Sequence, residues 1–162
     1  MRIVPGDFTD PQVIALLRLH LAGMHENSPP GHVFALDLSG LQRPDITFVT
    51  AWDDETLLGC GALREFSSAQ GGTRQGGVKH GEIKSMRTFP QHLRRGVAAA
   101  VLRHLLALAR TRGYRRVSLE TGSGEAFEPA LALYRRFGFA NGEAFGDYAA
   151  SAFNQFLHLD LP

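Results

Sequence analysis

Two arginines directly before a run of small residues are the part of this sequence best suited to bind a phosphate. Arg94 and Arg95 precede Gly96, and residues 97–100 (VAAA) carry short side chains. Apolar residues then recur at helical spacing as far as Gly113, which predicts a helix beginning at Gly96. The first N–H groups of a helix are unpaired and its dipole is positive there, so an anion is bound favourably. An ordinary tight turn with solvated arginines is the alternative.

A strand is predicted immediately before this turn, from Glu82 to Thr88. Its apolar residues, Ile83 and Met86, do not alternate strictly, which indicates an irregular strand. Pro90 lacks a backbone N–H and therefore ends central strand pairing. A strand, a short connection and a long helix are thus expected to follow one another.

Two segments resemble the motifs of the GNAT superfamily, the acetyl-CoA-dependent N-acyltransferases. Residues 82–83 (Glu-Ile) and 96–98 (Gly-Val-Ala) resemble motif A, although Leu93 stands where the family has Arg or Gln. Residues 130–139 (ALALYRRFGF) resemble motif B. The spacing between the two motifs also fits, and together they are specific. The resemblance covers residues 46–160 well and the N-terminal third loosely.

The expected fold is α/β, of the GNAT type. Alternating patterns predict an antiparallel hairpin from residues 46–52 and 56–66, with strands flanking two helices after it, which favours a mixed sheet. The resemblance implies a mostly antiparallel sheet with flanking helices and one parallel strand pair that splays apart, formed by residues 82–88 and 115–121. The length suits a single GNAT domain over residues 1–162.

The resemblance also implies how acetyl-CoA, the co-substrate, is bound. Its pantetheine arm would pair with the backbone of Met86 and Thr88 as a further strand. Its pyrophosphate would lie at the helix start, with the choice between Arg94 and Arg95 left open. The expected cofactor-binding residues are Met86, Arg87, Thr88, Arg94, Arg95, Gly96, Val97, Ala98 and Ala99.

Acylation of an amine needs a base, because a primary amine has a pKa of about 10.4 and is protonated at neutral pH. By resemblance Glu82 is this general base, and Tyr134 is the general acid that protonates the departing thiolate. Glu120 is a second carboxylate near the end of the neighbouring strand, and a role as base, as acceptor for a substrate hydroxyl or in the structure is left open. Phe127 replaces an Asn that many members carry.

The loop at residues 25–32 (HENSPPGH) follows a predicted amphipathic helix. By resemblance this region forms a wall of the acceptor site, so His25, Asn27 and Ser28 would face the substrate. A solvated connector is the alternative. A short second helix is predicted over residues 34–41.

Composition excludes several classes of protein. Lys plus Arg number 17 against 16 Asp plus Glu, so no basic field favours nucleic acid. No apolar run reaches the roughly 18 residues of a membrane span, and the N-terminus lacks a signal peptide's apolar stretch. Cys60 is the single cysteine, which rules out an internal disulfide and favours the cytoplasm. His20 and His25 are not at the spacing of a metal pair, so no metal is expected.

The predicted function is transfer of an acetyl group from acetyl-CoA to a primary amine of a small molecule, by direct attack in a ternary complex. A protein or peptide acceptor and an inactive acyl-CoA sensor are the alternatives. The presence of both Glu82 and Tyr134 disfavours the sensor. The expected partner is a small-molecule amine, and a homodimer is left open.

Overall fold

The computed structural model describes residues 1–66 and 79–162. Its strands are β1 (Arg2–Pro5), β2 (Ile46–Asp53), β3 (Thr56–Phe66), β4 (Lys79–Thr88), β5 (Tyr114–Thr121), β6 (Ala140–Asn141) and β7 (Gln155–Asp160). Its α-helices are α1 (Pro11–Asn27), α2 (Leu38–Leu41), α3 (Val97–Thr111) and α4 (Glu128–Arg136). The sequence also predicts a polar, Gly-rich hairpin loop over residues 67–79. This loop lies outside the described residues except for Lys79, which begins β4.

The described strands form one mixed sheet in the order β1-β2-β3-β4-β5-β7-β6. β4 and β5 are parallel, and every other neighbouring pair is antiparallel. This arrangement confirms the predicted α/β fold and its mostly antiparallel sheet. The hairpin of β2 and β3 also forms as predicted, with Asp53 paired to Thr56 across the turn.

β4 and β5 separate halfway along their length, which confirms the predicted splay. Their parallel pairing ends at Glu82 and Ser118, although both strands continue for several residues beyond. The register between β3 and β4 shifts beside Gly61, and Ser85 opposite it has φ 53°. This β-bulge bends β4 away from β5. A Cβ at Gly61 would lie 2.6 Å from the sulfur of Met86, so the bulge also needs a glycine there.

Helices cover both faces of the sheet and enclose two apolar cores. α3 and α4 pack on one face, where Val101, Leu105 and Leu131 are buried. α1 and α2 pack on the other, where Leu16 and Cys60 are buried. Cys60 is 1% exposed and burial raises the pKa of its thiol to about 12, so this residue is a core side chain and not a nucleophile.

The second helix is shorter than the sequence predicted. The prediction of residues 34–41 was wrong because the Asp37 side chain accepts a hydrogen bond from the Gly40 N–H at 2.8 Å and caps the helix at Leu38. Phe34 therefore belongs to the connection between α1 and α2, where its side chain is available to line a cavity.

Candidate active site

A cavity of about 170 Å³ opens where β4 and β5 separate. β4 forms its floor between Glu82 and Arg87, and the end of β5 contributes Glu120 and Thr121. α1 and the connection after it form one wall, lined by His20, Gly23, Met24, Asn27, Phe34 and Ala35. The opposite wall is made of Ala126, Phe127, Ala130 and Tyr134. Tyr148, from the loop between β6 and β7, closes the remaining side.

Glu82 lies at the centre of a buried polar network. Its carboxylate is 1% exposed, and its Oε1 accepts hydrogen bonds from the Tyr148 hydroxyl and, at 3.2 Å, from Lys84 Nζ. Lys84 also donates to the Tyr148 hydroxyl at 2.8 Å. Arg64 lies on the other side, with Nη1 3.8 Å from Glu82 Oε2. Lys84 and Tyr148 thus occupy Oε1, and Arg64 places a second positive charge near Oε2.

Tyr148 is held in this position by its aromatic neighbours. Its ring contacts Phe34 and Phe145 edge-on, with centroids 5.2 Å away in both cases. Burial raises the pKa of the Tyr148 hydroxyl, and the nearby charge of Glu82 and its hydrogen bond raise it further. The hydroxyl is therefore a hydrogen-bond donor at neutral pH, not a phenolate.

Glu120 is a half-buried carboxyl group without such partners. Burial raises the pKa of Glu120 to about 7; Lys84 opposes this shift and the negative charge of Glu82 adds to it. No described residue donates a hydrogen bond to this side chain. A carboxyl group that titrates near neutral pH and has free lone pairs suits proton transfer at that pH.

Tyr134 is buried at 7% exposure and lines the cavity from α4. Its ring packs edge-on against Phe139, with centroids 5.8 Å apart. Burial raises the pKa of its hydroxyl, so the group keeps its proton at neutral pH. Its side chain is therefore packed, protonated and adjacent to the place where β4 and β5 split.

The start of α3 has the geometry of an anion site. Gly96 caps the helix with φ 77°, and the Ala100 N–H is bonded to the Gly96 carbonyl at 3.0 Å. The N–H groups of residues 97–99 precede that first helical bond, so they have no partner within the helix. Arg95 contacts His92 Nδ1 at 3.0 Å and Asp53 Oδ2 at 3.9 Å. Arg94 is exposed, with φ 61°, and no described acidic side chain pairs with it.

The remaining cofactor residues lie along the free edge of β4. Beyond Glu82 this edge has no partner strand in the described part of the chain, so its backbone groups are available to a ligand. Met86 and Arg87 also line the cavity, whereas Thr88 lies outside its lining.

The three residues predicted from the α1 loop are not brought together. Asn27 lines the cavity, and its Nδ2 donates to the Gly23 carbonyl at 2.8 Å. His25 is exposed and lies outside the lining. Ser28 also lies outside it, and its buried Oγ has no hydrogen-bond partner in the described part of the structure.

Several polar residues of the cavity were not predicted from the sequence, among them Lys84, His20 and Tyr148. Lys84 lies two residues after Glu82, and strand geometry puts such residues on the same face, so the signal was present. His20 was considered only as a metal ligand. Tyr148 is 66 residues from Glu82 along the chain and carries no motif, so no local pattern indicated it.

Comparison with known proteins agrees with this geometry. The model of the "Acetyltransferase (GNAT) family" matches residues 13–139. The chain is 46% identical over 157 residues, 97% of each chain, to YsnE of Bacillus subtilis (strain 168), described as an uncharacterized N-acetyltransferase. The chain belongs to the GNAT acetyltransferase family. It is therefore an enzyme of the acyltransferase class.

Solved structures of GNAT proteins resemble this one over nearly their full length. A protein of Klebsiella pneumoniae, described as a candidate acyl-CoA N-acyltransferase, superposes with a TM-score of 0.76 at 28% identity, covering 99% of this chain and 97% of that one. A Bacillus subtilis acetyltransferase solved in complex with CoA superposes with a TM-score of 0.68 at 20% identity, covering 99% of each chain. The second likeness concerns the fold alone.

Two further observations concern residues 1–66 and 79–162 of this GNAT acetyltransferase. No group of three His, Cys, Asp or Glu side chains there is arranged to hold a metal ion. None of the helices there combines the length and apolarity that crossing a membrane requires.

Proposed function

We propose that this enzyme transfers the acetyl group of acetyl-CoA to a primary amine of a small molecule, by direct attack in a ternary complex, in the cytoplasm. The observation that carries the proposal is the cavity at the β4–β5 split, which holds Glu120 and Tyr134 together. Glu120 can accept a proton at neutral pH, and Tyr134 keeps the proton that it would donate. The cavity thus supplies a general base and a general acid for the acyl transfer.

The reaction begins with loss of a proton from the ammonium group of the acceptor. We assign the base to Glu120, in place of the Glu82 that the family resemblance implied, because Lys84 and Tyr148 already donate to Oε1 of Glu82 and Arg64 lies 3.8 Å from its Oε2, whereas no described residue donates to Glu120. The neutral amine nitrogen then attacks the thioester carbonyl carbon, and an oxyanion forms on the carbonyl oxygen. Backbone N–H groups at the free edge of β4 are available to stabilise that charge.

The attacking nitrogen then loses its second proton to solvent, and collapse of the intermediate re-forms the carbonyl and breaks the carbon–sulfur bond. Tyr134 donates its proton to the departing thiolate, whose pKa is about 8.5 if cysteine is taken as a guide. The products are an N-acetyl amine and free CoA, and solvent returns the proton held by Glu120 to Tyr134. No covalent enzyme intermediate is formed, which agrees with the deep burial of Cys60.

Acetyl-CoA would lie across the end of α3, with its pyrophosphate on the N–H groups of residues 97–99. Arg94 is better placed than Arg95 to meet the phosphates, because Arg95 already contacts His92 and Asp53. The pantetheine arm would continue along the free edge of β4 at Met86 and Thr88. This path leads the thioester into the cavity.

Replacing Gly96 with Val tests the phosphate site. Gly96 has φ 77°, which a β-branched residue adopts only with strain, and the replacement would displace the N–H groups behind it. We expect acetyl-CoA affinity, measured by calorimetry, to fall at least tenfold, or about 1.4 kcal/mol. Gly113→Val is the matched control, since Gly113 has φ 76° and equally open surroundings at the other end of α3. If both folded variants bind acetyl-CoA with equal affinity, the phosphates do not bind at this turn.

The acceptor side of the cavity favours a small molecule over a protein segment. α1, Phe34 and Tyr148 cover it, and a volume of about 170 Å³ offers little room for a peptide with its flanking residues. A panel of amines, amino acids and lysine-containing peptides, assayed with acetyl-CoA, tests this. A thiol reagent would report CoA release, because Cys60, the single cysteine, is 1% exposed. Mass spectrometry would identify the product.

We expect turnover of at least one class of small amine with kcat/KM at least tenfold above that of any peptide. Turnover of peptides alone would replace this proposal with a protein acceptor. Tight binding of acetyl-CoA without turnover of any acceptor would replace it with an acyl-CoA sensor.

A further inference from the structure

Apart from the hydroxyl of Ser85, the polar groups of the cavity that lack hydrogen-bond partners fall into two sets of opposite character. Oε2 of Glu82 is a buried acceptor without a hydrogen-bond donor in the described part of the chain, and the carboxyl group of Glu120, which is only half-buried, also receives no hydrogen bond there. Nε of Arg87 is a buried donor without an acceptor there, and Nδ1 of His20 is likewise unpartnered. Buried polar groups in folded proteins almost always have partners, so both sets indicate a bound ligand.

Arg87 is fixed against α1 at a glycine. A Cβ added to Gly23 would lie 3.1 Å from Nη1 and 3.2 Å from Nη2 of Arg87, so the guanidinium packs directly on the helix backbone. No described carboxylate forms a salt bridge with it. A partly buried guanidinium without a counter-ion costs free energy, and its fork of donors matches a carboxylate.

His20 belongs to α1 and lies beside the Arg87 guanidinium, and it is 7% exposed. Burial, together with the positive charges of Arg87 and Lys84, lowers the pKa of His20 to about 4. The imidazole is therefore neutral at pH 7. It can donate a hydrogen bond to an anion held by Arg87 while adding no charge of its own.

We propose that the acceptor is an amine that also carries a carboxylate, with the carboxylate bound by Arg87 and His20 and the amine directed towards Glu120 and Glu82. This inference rests on the proposed acetyl transfer and specifies its substrate class as amino acids. It assigns Arg87 to the acceptor, whereas the sequence placed this residue in the acetyl-CoA site. Met24, Phe34 and Phe127 provide apolar surface in the same cavity for the rest of the substrate.

The test compares amino acids with their amides as acceptors: leucine, methionine and phenylalanine against leucinamide, methioninamide and phenylalaninamide. Arg87→Met keeps an unbranched apolar stem but cannot donate hydrogen bonds, and Arg87→Lys keeps the positive charge without the planar set of donors. Arg18→Met, at an exposed position of α1, is the matched control. The ratio of parent to variant kcat/KM for each acceptor cancels the lower basicity of the amides.

We expect Arg87→Met to lower kcat/KM for the amino acids at least tenfold and for the amides less than threefold, as loss of a charged hydrogen bond predicts. Arg87→Lys should fall between Arg87→Met and the parent, and Arg18→Met should match the parent. Acetyl-CoA affinity should change less than threefold in all of them, which also shows that the variants are folded.

If Arg87→Met lowers kcat/KM equally for the amino acids and their amides, the inference is overturned. It is also overturned if this variant loses only acetyl-CoA affinity, in which case Arg87 belongs to the cofactor site. A parent enzyme that acetylates amides or simple amines but no amino acid overturns this inference alone. A parent enzyme that acetylates no small amine overturns the proposed function and this inference with it.

Discussion

Glu120→Gln is expected to lower turnover at pH 7 by roughly a hundredfold or more, because a general base typically contributes that much. The pKa of Glu120 is raised to about 7, so the parent rate should rise through that pH as the carboxyl group becomes a base. The variant should lack this rise. Its residual activity should increase only at higher pH, where the acceptor amine loses its own proton, with a pKa of about 10.4. The measurement is kcat against pH at saturating acetyl-CoA.

Two further variants complete this experiment. Glu55→Gln makes the same chemical change in the exposed β2–β3 turn and should leave the profile unchanged. Glu82→Gln tests the assignment that the family resemblance implied. If Glu82→Gln abolishes the rise near pH 7 while Glu120→Gln keeps it, Glu82 is the base and Glu120 belongs to substrate binding or to the structure.

Glu120→Gln should also make the protein more stable above neutral pH. Burial raises the pKa of Glu120 from 4.5 to about 7, so between these values the folded state binds more protons than the unfolded state. Stability contributed by this group therefore falls as pH rises from 4.5 to 7 and stays low above it. Glu120→Gln should unfold at a higher temperature than the parent at pH 8 and show a smaller difference at pH 5. Lower activity together with higher stability would exclude misfolding as the cause.

Tyr134→Phe is expected to reduce turnover by roughly a hundredfold while acetyl-CoA affinity stays nearly unchanged. The ring is 7% exposed and packs against Phe139, and Phe preserves that packing. The substitution removes only the hydroxyl group that would donate a proton to the departing thiolate. Rates of CoA release under saturating acetyl-CoA, with affinity from calorimetry, separate the chemical step from binding.

Tyr114→Phe is the matched control for Tyr134. Tyr114 is also buried, at 2% exposure, but its hydroxyl contacts Glu65 Oε2 at 3.2 Å at the opposite end of β5 from the cavity. Loss of the Tyr114 hydroxyl should leave turnover within about threefold of the parent. A loss below threefold in Tyr134→Phe as well would give Tyr134 a packing role, and water would then protonate the thiolate.

The sequence alone was sufficient for the fold and for the strand, turn and helix at which the cofactor phosphates are expected. The pattern of β2 and β3, the glycines that accompany the bulge and the small residues after Arg95 are local signals, and each acts within a few residues of its own position. The helix period after Gly96 predicted α3 to within one residue of its start at Val97. Such elements form where propensity, capping and periodicity agree.

The cavity where we propose that the acceptor binds was decided by the tertiary structure. Tyr148 reaches Glu82 from a loop 66 residues away, and Arg87 is turned towards α1 because Gly23 leaves room for its guanidinium. The raised pKa of Glu120 depends on burial, which only packing creates. Local patterns specify backbone hydrogen bonding over short distances, whereas cavity shape, desolvation and long-range side-chain contacts depend on how the helices cover the sheet. For that reason the sequence was enough to predict the turn that begins α3, and folding determined which polar groups meet in the cavity.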